Sequence, residues 1–280
     1  MIYHALQAMT PPFNELILSW NGRRPKTGHW TFFVRLFQNE WSPWLKMAEW
    51  GPDFQRSFAE ENGFAKSHQD IAKPKNGYCT GYEIKVEGDP DSVTVCLSDL
   101  SQFPIIKPIL PPVQLQNIPT QSQQILPHSR AKDLCSPTST SMALHFLQCP
   151  IDPILFATKV HDHTFDIYGN WMLNTAAASE FLRPKYRTYV ARLPDFAALH
   201  TQLQKGLPVV VSIKGPLPGA PLAYANGHLI LVTGYDQDRV YCMDPGFHAN
   251  EQTLTSYALD DFLEAWTTRR KNLAYLFEKV

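Results

Sequence analysis

The chain has 280 residues, a formal net charge of −1, 44% hydrophobic residues and 18% charged residues. That composition suffices for packed cores and excludes a globally disordered chain. Charge near zero, with no long run of one sign, excludes recognition of nucleic acid or of an anionic membrane surface by charge. Length beyond that of a usual single domain predicts two domains.

The first residues, Met1-Ile2-Tyr3-His4-Ala5-Leu6-Gln7, carry no basic region followed by an apolar stretch, so no signal peptide is visible. No segment reaches the roughly 18 apolar residues of a membrane span. Compartment stays open between the cytoplasm and export by a non-classical route. Next come short runs rich in aromatic and β-branched residues: Leu16 to Trp20, Trp30 to Phe37, Trp41 to Trp50, Gly81 to Val86 and Ser92 to Leu97. Asn21-Gly22 and Gly88-Asp89-Pro90-Asp91 supply turn chemistry between them. Short, regularly spaced strands without helical periodicity predict an all-β, sandwich-like accessory domain over residues 1–102. Five of the seven Trp lie between Trp20 and Trp50. Exposed, they would form a platform for a glycan or another surface ligand; buried, they are core, which their size favours.

Residues 103–127 carry Pro104, Pro108, Pro111, Pro112, Pro119 and Pro127 among several Gln. This composition reads as an extended linker, or as a strap lying along the next domain. From residue 128 helical patterns come first, at 135–147, 152–160 and 171–182. Strands follow at 186–191, 208–213, 228–235 and 239–243, with a helix near 195–205. A short helix from Leu259 to Trp266 precedes a last strand at 274–277. A domain over 128–280, able to fold alone from about residue 125, is the expectation.

Cys135 stands where the Pro-rich stretch turns into a helix, in Leu134-Cys135-Ser136-Pro137-Thr138-Ser139. Pro137 suits a first helical turn, and Met142, Ala143, Phe146 and Leu147 repeat at helical spacing as a buried face. A thiol at a helix N-terminus feels the positive end of the macrodipole, which favours thiolate. His228 opens the apolar run Leu229 to Val232, and a buried His needs partners for its ring nitrogens. Asp244, near the end of the neighbouring strand, is placed to supply one. Cys, His and Asp are the residue types of thiol-based acyl transfer.

Other residues read more plainly. The five Cys, at 79, 96, 135, 149 and 242, show no metal-ligand spacing, and an odd count favours free thiols over a Cys79–Cys96 bridge. His161-Asp162-His163 has the look of a metal pair without a third ligand, so a polar loop is expected. Trp171 is weighed evenly between lining a substrate cleft and packing in a core. No metal and no other cofactor is expected.

Cys135-Ser136-Pro137-Thr138-Ser139 with Met142, Gly169-Asn170-Trp171 with Asn174, Gly206-Leu207-Pro208-Val209-Val210, Gly227-His228-Leu229, Gly234-Tyr235 and Asp244-Pro245 occur in this order. From about Gln124 onward the chain resembles the C39-like peptidases, a branch of the papain-like cysteine peptidases. The resemblance implies an α+β architecture, with a papain-like domain of helices first and sheet second. It implies Cys135 as nucleophile, His228 as base, Asp244 as orienter of the imidazole, and a peptide or protein substrate. The alternatives are a papain-like acyltransferase or amidase, and a catalytically weak peptide- or glycan-binding protein. The family places a Gln a few residues before the Cys as an oxyanion donor. Here Arg130 stands nearest that place, with Gln123 and Gln124 further back. Papain-like sites also use Asn as orienter, so Asp244→Asn is expected to keep the fold and to lower activity less than Cys135→Ala does.

Overall fold

The first half of the chain forms ten strands. They are β1 (Ile2–Gln7), β2 (Glu15–Asn21), β3 (Trp30–Phe37), β4 (Leu45–Trp50), β5 (Gln55–Ser57), β6 (Ala59–Asn62), β7 (Ala65–His68), β8 (Ile71–Pro74), β9 (Gly81–Glu87) and β10 (Ser92–Ser98). The computed structural model describes residues 2–7 and 10–280, with backbone alone over 2–7. Two antiparallel five-stranded sheets result, in the orders β1-β9-β3-β4-β5 and β10-β2-β8-β7-β6. In β3 the period of two is clean from Phe32 onward: Phe32, Val34 and Leu36 are buried, while Phe33, Arg35 and Phe37 are half-exposed. Trp20 stacks on Phe32 at 4.1 Å and meets Trp50 edge-on at 5.9 Å, which ties one sheet to the other. The Trp cluster therefore divides. Trp20, Trp30 and Trp50 are core. Trp41 and Trp44 are half-exposed, and the Arg35 guanidinium lies over each ring at 4.9 Å.

Contacts divide the chain into Met1–Gln102 with Lys159–Glu180, and Phe103–Thr158 with Phe181–Val280. The segment Lys159–Glu180 is bound into the first unit by buried polar groups. Asp162 accepts from Ser57 N at 3.2 Å, from the Ser57 hydroxyl, from Thr164 N at 3.0 Å and from Asn170 Nδ2 at 2.8 Å. Asp70 Oδ1 accepts from Trp171 N at 2.5 Å and Met172 N at 3.3 Å, which caps a helix start. Burial pushes the Asp70 carboxyl up to about 8 despite those two donors. His161 bonds Asp166 at 2.7 Å and lies edge-on to His163, so the His-Asp-His stretch is a structural hub. Among the described residues, no group of three or more His, Cys, Asp or Glu gathers around a common point.

The second unit adds β11 (Val113–Gln114), α1 (Cys135–Phe146), β12 (Tyr186–Arg192), α4 (Phe196–Gln204), β13 (Val209–Ile213), β14 (His228–Asp236), β15 (Arg239–Met243), β16 (Leu254–Ala258), α5 (Leu259–Leu263) and β17 (Leu273–Lys279). Helices α2 (Pro153–Val160) and α3 (Trp171–Leu182) stand where the chain passes from one unit to the other. The antiparallel sheet runs β12-β17-β13-β14-β15-β16, with β11 also on β14. Val209, Val211, Ile213, Ile230 and Val232 pack with Phe196, Leu199, Phe262 and Trp266. The alternate residues Val210, Leu229 and Leu231 are buried on the other face, where α1 lies against β13 and β14. Asp195 caps α4 by accepting from Ala198 N at 2.9 Å.

Residues 103–127 lie along this second unit. Tyr235 donates to Pro108 O at 3.2 Å, and His200 Nε2 lies 2.8 Å from Pro111 O. β13 pairs with β14 over His228 to Val232, and β11 continues the same edge at Gly234 and Tyr235. A Cβ at Gly234 would stand 2.8 Å from the backbone oxygen of Val113, so this close approach of β11 requires glycine.

The two-unit division changes what a truncation should do. A chain of residues 120–280 lacks β11, the Ser57 donors to Asp162 and the Asp70 cap of α3. Expression of that fragment is expected to give insoluble or non-cooperatively melting protein. A soluble fragment with a sharp thermal transition would show that Lys159–Glu180 needs none of those partners.

Candidate active site

Cys135 is the first residue of α1, and Leu134 before it provides no side-chain cap. The free N–H groups of the first turn are thus left to the thiol end of the helix. Pro137 sits inside that turn, where a missing N–H costs nothing. The two turns that follow are buried on nearly all sides, including Ser136, Thr138, Ser139, Thr140 and Ser141. Ser139 Oγ donates to Leu229 O at 2.9 Å, and Ser136 Oγ lies 3.0 Å from the Tyr275 hydroxyl. The buried face runs through Met142, Ala143, Leu144 and Leu147, while Phe146 is half-exposed. These contacts pin the start of α1 to the start of β14, where His228 stands.

The register Leu231↔Met243 brings the beginning of β14 beside the residues that follow β15. Asp244 is the first of these, its backbone held by Thr253 O at 2.8 Å. His228 Nε2 lies 2.8 Å from Asp244 Oδ1. A carboxylate only accepts, so Nε2 carries a proton and Nδ1 is left for the thiol of Cys135, which is hydrogen-bonded to this imidazole. His228 and Asp244 are buried, and Cys135 is half-exposed.

Charges in this arrangement support one another. Burial disfavours the Cys135 thiolate, but the His228 imidazolium and backbone N–H groups of Leu229 and Ser136 outweigh it, and the thiol is held below its usual value. Burial likewise opposes a charged His228; Asp244 and Cys135 reverse this and push the imidazole up to about 10. For Asp244 burial is offset by His228, the Tyr257 hydroxyl and Gly246 N–H, so the carboxyl is held below its usual value. The other thiols are different. Burial pushes Cys79 up to about 12, and raises Cys149 and Cys242 as well. All five are free, so no Cys79–Cys96 bridge forms.

The remaining residues singled out by sequence lie elsewhere. Arg130 Nε donates to Asp133 at 2.9 Å in a part-exposed pair on the turn before α1. Trp171 belongs to the first unit and opens α3. Three further residues gather here: Gln123, which the sequence offers only behind Arg130 as a candidate for the family's Gln, and two tyrosines that it does not single out. Gln123 is buried and donates through Nε2 to Ala131 O at 3.1 Å and Lys132 O at 2.7 Å, in the turn leading to Cys135. Tyr224 and Tyr257 donate to Asp244 Oδ2 at 2.7 and 2.5 Å.

Residues 115–274 match the Peptidase_C39 like family. The chain belongs to that family. Among solved structures, this member of the Peptidase_C39 like family is similar to a C39-like peptidase from Bacillus anthracis, with 19% identity and a TM-score of 0.47 over 60% of this chain and 98% of the other. It is also similar to a double glycine motif protease from an AMS/PCAT transporter, solved with its leader peptide: 12% identity, TM-score 0.41, 61% of this chain and 100% of the other. The peptidase domain of Streptococcus ComA, a bifunctional ABC transporter, matches at 15% identity and a TM-score of 0.41, over 58% of this chain and 98% of that one. No curated protein matches the chain. Among the described residues, no helix is long and apolar enough to cross a membrane.

Proposed function

We propose that this protein is a cysteine peptidase that hydrolyses peptide bonds through Cys135, His228 and Asp244. In this reading the second unit has a papain-like layout and the first is a sandwich-like accessory unit. The hydrogen-bonded chain from thiol to imidazole to carboxylate, with His228 Nε2 2.8 Å from Asp244 Oδ1, carries the proposal. Membership of a peptidase family supports a peptide or protein as substrate.

The Cys135 thiolate attacks the scissile carbonyl carbon, and the carbonyl electrons move onto oxygen. Collapse of the tetrahedral adduct expels the amine, which takes its proton from the His228 imidazolium, and leaves a thioester on Cys135. Neutral His228 then removes a proton from water as it attacks the thioester carbonyl; collapse of this second adduct breaks the C–S bond, releases the acid and leaves the Cys135 thiolate beside the His228 imidazolium. Asp244 holds Nε2–H throughout, so that Nδ1 alone handles the transferred proton. Peptide cleavage by the wild type, and its absence in Cys135→Ala with an unchanged thermal transition, is the deciding measurement. Equal activity of the two proteins would remove Cys135 from the reaction.

For the oxyanion, the Cys135 backbone N–H is one donor. The second is assigned to Gln123, buried against the turn that presents Cys135, one of whose Nε2 hydrogens would have to leave Ala131 O or Lys132 O for the oxyanion, in preference to Arg130, which is part-exposed and paired with Asp133. Gln123→Ala is expected to lower kcat by about 100-fold with little change in KM, the usual loss for one such donor. Arg130→Ala and Arg130→Gln should match wild type. A kcat loss in Arg130→Ala alone would reverse the assignment.

A further inference from the structure

Tyr224 stands 6% exposed in the loop before β14, at a left-handed φ of +48° that a bulky side chain rarely adopts. Its carbonyl accepts from Gly215 N at 3.1 Å and from Gly227 N at 2.9 Å, which pins the strained residue from both sides. The ring lies parallel to the His228 imidazole, with centroids 3.9 Å apart and planes 6° apart. The hydroxyl, at the far end of the same ring, donates to Asp244 Oδ2 at 2.7 Å. One side chain thus touches both members of the His228–Asp244 pair. The chain is built tightly around this contact: a Cβ on Gly246 would stand 2.6 Å from the Tyr224 hydroxyl and 3.1 Å from Asp244 Oδ1.

We propose that Tyr224 is a positioning residue for the reaction, fixing the plane of the His228 imidazole through its ring and the Asp244 carboxylate through its hydroxyl. The proposal rests on the assignment of Cys135, His228 and Asp244 made above. Rotation of the imidazole about its Cβ–Cγ bond would sweep a ring edge into the stacked phenol, so the stack holds Nδ1 toward Cys135. The same ring covers one face of the Nε2–H···Oδ1 bond and keeps water from it, which strengthens the bond. An aromatic face also favours a charged imidazolium over a neutral ring. Tyr257 provides a comparison within the molecule. It donates to the same Oδ2, yet its ring is not among the described ring contacts of His228.

Alkylation of Cys135 by iodoacetamide in the full chain, followed by mass spectrometry from pH 5 to 9, tests the proposal without a known substrate. Tyr224→Leu is expected to lower the pH 6 rate at Cys135 by about 10-fold or more, the effect of one unit in the thiol pKa. The deficit should shrink toward pH 9, where an unassisted thiol ionises by itself. Tyr224→Phe, which keeps the stack but loses the bond to Asp244, should fall between wild type and Tyr224→Leu, and Tyr257→Phe, which loses the other hydroxyl on Oδ2 but no stack, should fall clearly less than Tyr224→Leu. If Tyr224→Leu does not fold, Tyr224→Met carries the same expectation. A Tyr224→Leu protein that labels like wild type at pH 6 would overturn the proposal, as would Tyr257→Phe falling equally far. Failure of the underlying assignment shows separately, in a wild-type Cys135 that labels no faster than Cys149.

Discussion

Iodoacetamide at pH 6 is expected to modify Cys135 ahead of Cys79, Cys149 and Cys242 by about 100-fold or more, because thiolate is the reacting form. Cys135 is held below the usual thiol value by His228, whereas burial raises the other three, Cys79 to about 12. The sign of the pH dependence follows from the two partners. Thiolate persists as pH falls until it passes the lowered thiol value, and imidazolium persists as pH rises until it nears 10. The ion pair, and with it peptide cleavage, should therefore form a plateau whose acid limb lies below the ordinary thiol range and whose alkaline limb lies near 10. An acid limb at an ordinary thiol value of about 8.5 would mean that His228 does not assist Cys135.

Asp244→Asn is expected to be far more damaging than the general use of Asn at papain-like sites suggests. The wild-type carboxylate accepts four bonds: Tyr224 and Tyr257 on Oδ2, His228 and Gly246 N–H on Oδ1. An amide presents NH2 to one of those pairs, so two buried donors face a donor in either orientation. Each group left unpaired costs about 1–3 kcal/mol. The variant should melt well below wild type and lose most of its low-pH Cys135 reactivity. Adding Tyr257→Phe to Asp244→Asn removes one opposed hydroxyl and should recover part of both. An Asp244→Asn protein as stable and reactive as wild type would show that the two tyrosines turn easily from donors to acceptors.

Sequence exposed the three central residues because each lies in a local signal. Cys135 precedes a helix-compatible Pro, His228 opens an apolar run, and Asp244 precedes a Pro-Gly break. The tyrosines that hold Asp244 carry no such signal. Tyr224 sits in an irregular Pro/Gly loop, and Tyr257 in β16, whose sequence Leu-Thr-Ser-Tyr-Ala has no clear period of two. Strands β5 to β8 carry no legible pattern for a related reason, being three or four residues long and mostly polar. The helix pattern over 171–182 was plain, but nothing in its periodicity says that its first turn is capped by Asp70, a hundred positions upstream. Chain order therefore suggested a boundary at residue 128, where spatial grouping returns Lys159–Glu180 to the first unit.

The strap that supplies β11 leaves the ribosome long before its partner does. Val113 pairs with Tyr235, so the ladder between them waits while the intervening chain is made, on the order of ten seconds. During that interval Leu110, Val113 and Leu115, which pack against the core of the second unit once it forms, travel uncovered on a segment too rich in proline to hide them in a helix. The nascent chain is thus most open to chaperone capture, or to sticking to another copy of itself, between synthesis of the first sheets and synthesis of β14.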